Sequence, residues 1–165
     1  MSTAHADVLL VEDDSADAEL ILTSLGDDAV RGGVHVAPDG EDALDWVFCR
    51  GQYADRAIGA TPRIIILDVK VTKVGGLDVL QEIKRDPRTA AIPVVMLSSS
   101  NLVRDVEAGY RLGANSYVQK PVDFEQFRDT VRQLGAYWLT VNEPARSDDA
   151  LAREARDARR EPGAF

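Results

Sequence analysis

Short aliphatic runs and helix-spaced apolar positions alternate along most of the chain. Val8-Leu9-Leu10-Val11 is apolar throughout and of strand length, and Ala18, Ile21, Leu22 and Leu25 follow on one helical face. Gly32-Gly33 breaks the chain before Val34-His35-Val36, and Asp39-Gly40 opens a second helical pattern of Ala43, Leu44, Val47 and Phe48. The segment from Arg50 to Arg63 carries Gly51, Gly59 and Pro62 with little periodicity and reads as a long loop. Ile64-Ile65-Ile66-Leu67 is the most strand-prone run and is expected at the centre of a sheet. After Gly75-Gly76, the positions Leu77, Leu80 and Ile83 mark a helix that stops near Asp86-Pro87, and Pro93 introduces Val94-Val95-Met96-Leu97. Ser98-Ser99-Ser100-Asn101 is expected to start the next helix, which holds Val103, Val106 and Tyr110 and ends at Gly113-Ala114-Asn115. Ser116-Tyr117-Val118 then makes a short strand, and Asp123 caps a last core helix.

Strands that alternate with helices predict an α/β fold, because parallel strands need a crossover helix, and that crossover is right-handed. The expected architecture is a five-stranded parallel sheet, order 2-1-3-4-5, doubly wound and flavodoxin-like. Ligands in such sheets sit beyond the carboxyl ends of the strands, here just after Val11, Leu67, Leu97 and Val118.

Composition narrows the partners. The 165 residues carry 19 Lys plus Arg against 28 Asp plus Glu, a formal net charge of -9, which disfavours a nucleic-acid partner. The single cysteine, Cys49, excludes an internal disulfide and is expected as a buried structural thiol in a reducing, cytoplasmic setting. No apolar run approaches the roughly 18 residues that span a bilayer, so no membrane association is expected.

The four strand ends read Glu12-Asp13-Asp14, Asp68, Ser98 and Lys120. Neighbouring strands bring these groups together, and crowded carboxylates are costly unless a cation offsets them. Mg²⁺ suits one or two carboxylates, waters and phosphate oxygens. In a phosphoryl-transfer reading Asp68 is the nucleophile, and Asp13, with Glu12 as an option through water, and the Lys70 backbone carbonyl hold Mg²⁺. Ser98 and Lys120 then stabilise phosphoryl oxygens. Each residue also has a plain structural role open to it, as a helix cap or turn residue. Asp68, directly after four aliphatics, is the hardest to explain that way, because a lone buried carboxylate is expensive.

The ordered set Glu12-Asp13, Asp68, Ser98 and Lys120-Pro121 resembles the receiver domain of two-component response regulators over residues 6–136. The resemblance implies that Asp68 accepts a phosphoryl group from a sensor histidine kinase and that Glu12 and Asp13 are an acidic pair binding Mg²⁺. It implies further that Ser98 contacts the phosphoryl group, that Lys120 is the site lysine, that Tyr117 is an aromatic switch, and that Pro121 follows a cis peptide bond. Thr72 stands where receivers often have proline, and Lys70 where many have Asn, Met or Arg. The Arg50 to Arg63 loop with Gly51-Gln52-Tyr53, and Tyr137-Trp138-Leu139 followed by Asn142-Glu143-Pro144, resemble stand-alone regulators paired with phytochrome kinases.

The expected domain spans residues 1–141 with an extended last helix, and residues 142–165 form a tail with a short polar helix. Phe124, Phe127, Val131, Leu134, Trp138 and Val141 step by three and four, a face that outruns the sheet. Phe127, Val131, Leu134, Tyr137, Trp138 and Val141 are therefore expected at a homodimer face, with a tail folded back on its own domain as the alternative. Two rival functions are a pseudo-receiver scaffold without phosphorylation and a haloacid-dehalogenase-like phosphatase. The phosphatase needs an acid where this chain has Lys70. Lys70→Asn is expected to alter the lifetime of an aspartyl phosphate, and equal decay rates of the two phosphorylated proteins would overturn that expectation.

Overall fold

The aliphatic runs become the strands. The computed structural model describes residues 6–26 and 31–145 together with residue 159. Its elements are β1 (Val8–Val11), α1 (Ser15–Leu25), β2 (Val34–Ala37), α2 (Gly40–Val47), β3 (Ile64–Leu67), α3 (Gly76–Arg85), β4 (Val94–Ser98), α4 (Val103–Arg111), β5 (Ser116–Gln119) and α5 (Phe124–Ala136). The tail helix expected after residue 146 lies outside the described residues.

All strand pairs are parallel, in the order β2-β1-β3-β4-β5. β1, β3 and β4 are buried along their whole length because helices cover both sheet faces, whereas β2 and β5 at the edges are less buried. Alternate side chains divide between two cores. Leu9, Val11, Ile65, Leu67 and Met96 pack with Trp46, Leu80 and Ile83. Leu10, Ile66, Val95 and Leu97 pack with Ile21, Phe127 and Val131.

Several expectations need correction. Phe127 and Val131 are 5% and 0% exposed and belong to their own domain's core, so they cannot form a dimer face. The cause is α1, whose Ala18, Ile21 and Leu25 share that core and run alongside α5. Leu134 and Trp138 pack half-buried against the same cluster, and Leu139 is buried there, while Tyr137 and Val141 remain exposed. The helical path does reach Val141, but it widens into a π turn over Tyr137–Val141. α4 begins at Val103 after Leu102 and has no side-chain cap, because Ser98 completes β4 and the hydroxyl of Ser100 turns to Asp105. Cys49 is half-buried rather than buried.

No cis peptide occurs among the described residues, so the Lys120–Pro121 bond is trans. The Lys120 amide donates to the Ser98 carbonyl at 2.7 Å, continuing the β4–β5 ladder, and its side chain still reaches the acids of the strand ends. The geometry closes without the isomer that costs about 0.5–1 kcal/mol more at an X-Pro bond.

The long loop is more ordered than its composition suggests. A 3-10 turn spans Gly51–Tyr53, and Arg56 inserts its guanidinium over the Trp46 ring, 3.5 Å from the centroid. Arg56 also donates to the carbonyls of Trp46 and Ala60, and His35 stacks on Trp46 with centroids 5.1 Å apart. Carbonyl oxygens at its terminal nitrogens and a π face offset the burial of this cation, although its Nε has no hydrogen-bond partner.

The burial pattern predicts a sharp contrast between two positions of the last helix. Phe127→Ala should cost about 3–5 kcal/mol and Val141→Ala less than about 0.5 kcal/mol in urea denaturation. Similar costs at both positions would mean that Phe127 is not a core residue.

Candidate functional site

The ladders around β1 continue one residue past the strands. The Glu12 amide donates to the Ala37 carbonyl and the Asp68 amide to the Val11 carbonyl, both at 3.1 Å. Two carboxylates therefore leave the sheet from fixed points at its carboxyl edge. Gly76, where α3 begins, lies so close to this edge that a Cβ there would stand 2.0 Å from the Asp68 carbonyl oxygen. Only glycine lets α3 approach the end of β3 in this way.

Oxygen atoms of Glu12, Asp13 and Asp68 lie within 4.8 Å of one another, with Glu12 and Asp68 buried and Asp13 exposed. The Lys120 ammonium reaches in from the end of β5. It donates to Glu12 Oε2 at 2.6 Å, Asp68 Oδ2 at 2.8 Å and Asp17 Oδ2 at 2.9 Å. The remaining oxygens are also held: Glu12 Oε1 accepts the Asp14 amide at 3.1 Å, and Asp68 Oδ1 accepts the Lys70 amide at 3.2 Å. Asp14 is the N-cap of α1, and its Oδ1 accepts the Asp17 amide at 2.9 Å.

One ammonium does not balance these acids. Burial pushes the Glu12 carboxyl up to about 7 even though Lys120 favours its ionised form, and the nearby Asp68 charge adds to the rise. Burial alone would pull Lys120 down, but its bonds to Asp68, Glu12 and Asp17 outweigh that and hold it above the usual lysine range. A donor set of hard oxygens, with one acid that retains its proton near neutrality, fits a divalent cation.

Ser98 ends β4, fully buried, and its Oγ accepts the Ser100 amide at 3.2 Å. Tyr117 is half-buried in β5 and turns toward the β4–α4 loop, where its hydroxyl donates to the Ser100 carbonyl at 2.8 Å. The structure thus gathers Glu12, Asp13, Asp68 and Lys120 into one cluster. Ser98 stands at the end of the adjacent strand β4, Tyr117 lies within the edge strand β5 opposite Met96, and Lys70 is exposed just beyond β3.

Residues 8–132 match the family model of the response regulator receiver domain. The chain belongs to this family. Among receiver relatives, it is 38% identical over 135 residues to a probable methanogenesis regulatory protein, FilR2, of Methanothrix harundinacea, covering 82% of this chain and 84% of that one. It is 34% identical over 139 residues to the response regulator Rcp1 of Synechocystis sp., covering 84% of this chain and 92% of Rcp1. The Mn²⁺-bound crystal structure of Rcp1 superposes with a TM-score of 0.78 over 84% of this chain and 97% of that one. The phosphorylated cyanobacterial phytochrome response regulator RcpA superposes with a TM-score of 0.79 at 35% identity, over 86% of this chain and 99% of RcpA. Phytochrome response regulators are thus among this receiver's close relatives. No helix of the described residues is long and apolar enough to cross a membrane.

Sequence reasoning missed Asp17. The signal was available, because Asp17 stands in the first turn of α1, three residues after the N-cap Asp14, and so at the same end of the sheet. Within a row of acids it reads as ordinary helix-dipole complement.

The Glu12 environment fixes a pH dependence. The folded receiver keeps the Glu12 proton up to about 7, whereas the unfolded chain releases it near 4.5. Stability from this group is complete below about 4.5 and is lost as pH rises through about 7. Without divalent cations, the urea midpoint of Glu12→Gln should fall less over that window than that of the wild type, and parallel profiles would contradict the assignment.

Proposed function

We propose that this receiver accepts a phosphoryl group on Asp68 from a sensor histidine kinase, with Mg²⁺, and signals through protein contacts. The observation that carries this reading is the Lys120 ammonium bonded to Asp68 Oδ2 beside the paired acids Glu12 and Asp13. A carboxylate so placed is held toward the opening of the sheet's carboxyl edge.

Attack by an Asp68 oxygen forms an O–P bond as the P–N bond to the donor imidazole breaks, and the kinase histidine leaves with the electron pair. Charge builds on the equatorial oxygens during transfer. The Lys120 ammonium takes one of them and the Ser98 hydroxyl another. Held by Glu12, Asp13, Asp68 and the Lys70 carbonyl, Mg²⁺ would supply further neutralisation of the phosphoryl charge. Drawing Lys120 and Ser98 toward a phosphoryl group disturbs the Ser98–Ser100–Tyr117 contacts, so Tyr117 serves as the switch that reports the modification to α4.

The likeness to Rcp1 and RcpA supports a phytochrome as the kinase. A regulator of this kind acts in the cytoplasm, with residues 1–141 as the receiver and residues 142–165 as an appended tail. Homodimerisation would use the exposed Tyr137 and Val141 with the flanking Leu134 and Trp138.

Incubation with acetyl phosphate, followed by intact-protein mass, tests the reading. Wild type should gain one labile phosphoryl adduct only when Mg²⁺ is present, and Asp68→Asn should gain none. No adduct under conditions that label a control receiver would favour the scaffold reading.

A further inference from the structure

We propose that Asp17 is a positioning residue, the fixed anchor of the Lys120 ammonium while Glu12 and Asp68 turn to a divalent cation. The inference rests on the reading of Asp68 and its neighbours as a cation and phosphoryl site. Lys120 has three N–H donors, and three carboxylates take them: Glu12, Asp68 and Asp17. Two of those partners also belong to the group of acids close enough to share a metal, which comprises Glu12, Asp13 and Asp68. A cation that draws on Glu12 and Asp68 must compete with the ammonium for the same oxygens. Asp17 stands outside that group.

Its position suits the task. Asp17 is held by its own backbone, since its amide is bonded to the N-cap Asp14 in the first turn of α1. Its side chain is 37% exposed, far more than the 2% of Glu12 and 8% of Asp68, so water solvates it at little cost. A lysine on a flexible four-carbon stem needs such a tether to stay beside the site as its other contacts loosen. Without Asp17 the ammonium has only Glu12 and Asp68 to lean on, and it opposes cation binding more strongly.

The test is a Mn²⁺ titration of the full chain, with free Mn²⁺ read by electron paramagnetic resonance. Asp17→Asn should raise the dissociation constant about two- to fivefold, the range that a part-exposed ion pair supports. Asp17→Glu should restore it, and the melting temperatures of both cation-free variants should stay close to the wild type. In a Lys120→Met background Asp17→Asn should have little effect, because there is no ammonium left to hold.

Equal affinities in wild type and Asp17→Asn overturn the proposal. So does a loss that Asp17→Glu fails to restore, or one that persists undiminished beside Lys120→Met, which would make Asp17 a plain surface charge. A wild type that binds Mn²⁺ yet gains no phosphoryl adduct from acetyl phosphate sinks only the phosphoacceptor reading, since the affinity comparison does not use the adduct.

Discussion

The ammonium of Lys120 is bonded at once to carboxylates from β1, α1 and β3, while its own backbone ends β5. One nitrogen atom thus ties together four elements drawn from three distant stretches of the chain. Without it the buried Glu12 and Asp68 carboxylates would face each other at the carboxyl edge with no counter-charge, and like charges in a buried cleft repel. Burial, with a smaller part from the Asp68 charge, still pushes the Glu12 carboxyl above its usual range, a cost that the fold tolerates locally. The fully buried strands β1, β3 and β4 supply the rigidity that makes this tolerable.

A second consequence concerns the side of the molecule that faces away from α1. α4 is the least anchored of the helices, with Gly109 its only buried residue and no side-chain cap at its start. Val103 and Tyr110 stand 70% and 51% exposed on it. What ties its N-terminal end is a small network: Ser100 bonds to Asp105 through its hydroxyl and to Tyr117 through its carbonyl, and its amide rests on Ser98. A helix held by few buried contacts and one polar network belongs to the low-stability end of a structure, where movement costs least. The buried site and the loosely held helix are therefore only a few residues apart along β4.

Most of the fold was legible because its strands are written as unbroken aliphatic runs, which only a sheet covered on both faces requires. The cluster of Glu12, Asp13, Asp68 and Lys120 was legible for a related reason: polar residues directly after such runs stand out. The misreadings arose where pattern cannot name the neighbour. The apolar stripe through Phe127 and Val131 showed a face to be covered but not that α1 covers it. Arg56 was not singled out at all, since nothing in the composition of its loop announces that Trp46 offers it a π face. Asp17 was hidden among other acids, and its value depends on a lysine more than a hundred positions away.

The stack of Arg56, Trp46 and His35 has an optical consequence. The protein has two tryptophans. Trp46 is fully buried in contact with a guanidinium and an imidazole, and Trp138 is half-buried in the terminal π turn against Tyr137. Their emission should differ in wavelength and in quenching, so one spectrum carries separate signals from the β2 edge and from the end of the last helix. Neither indole lies among the acids of the strand ends, which leaves both free to report on the scaffold around them.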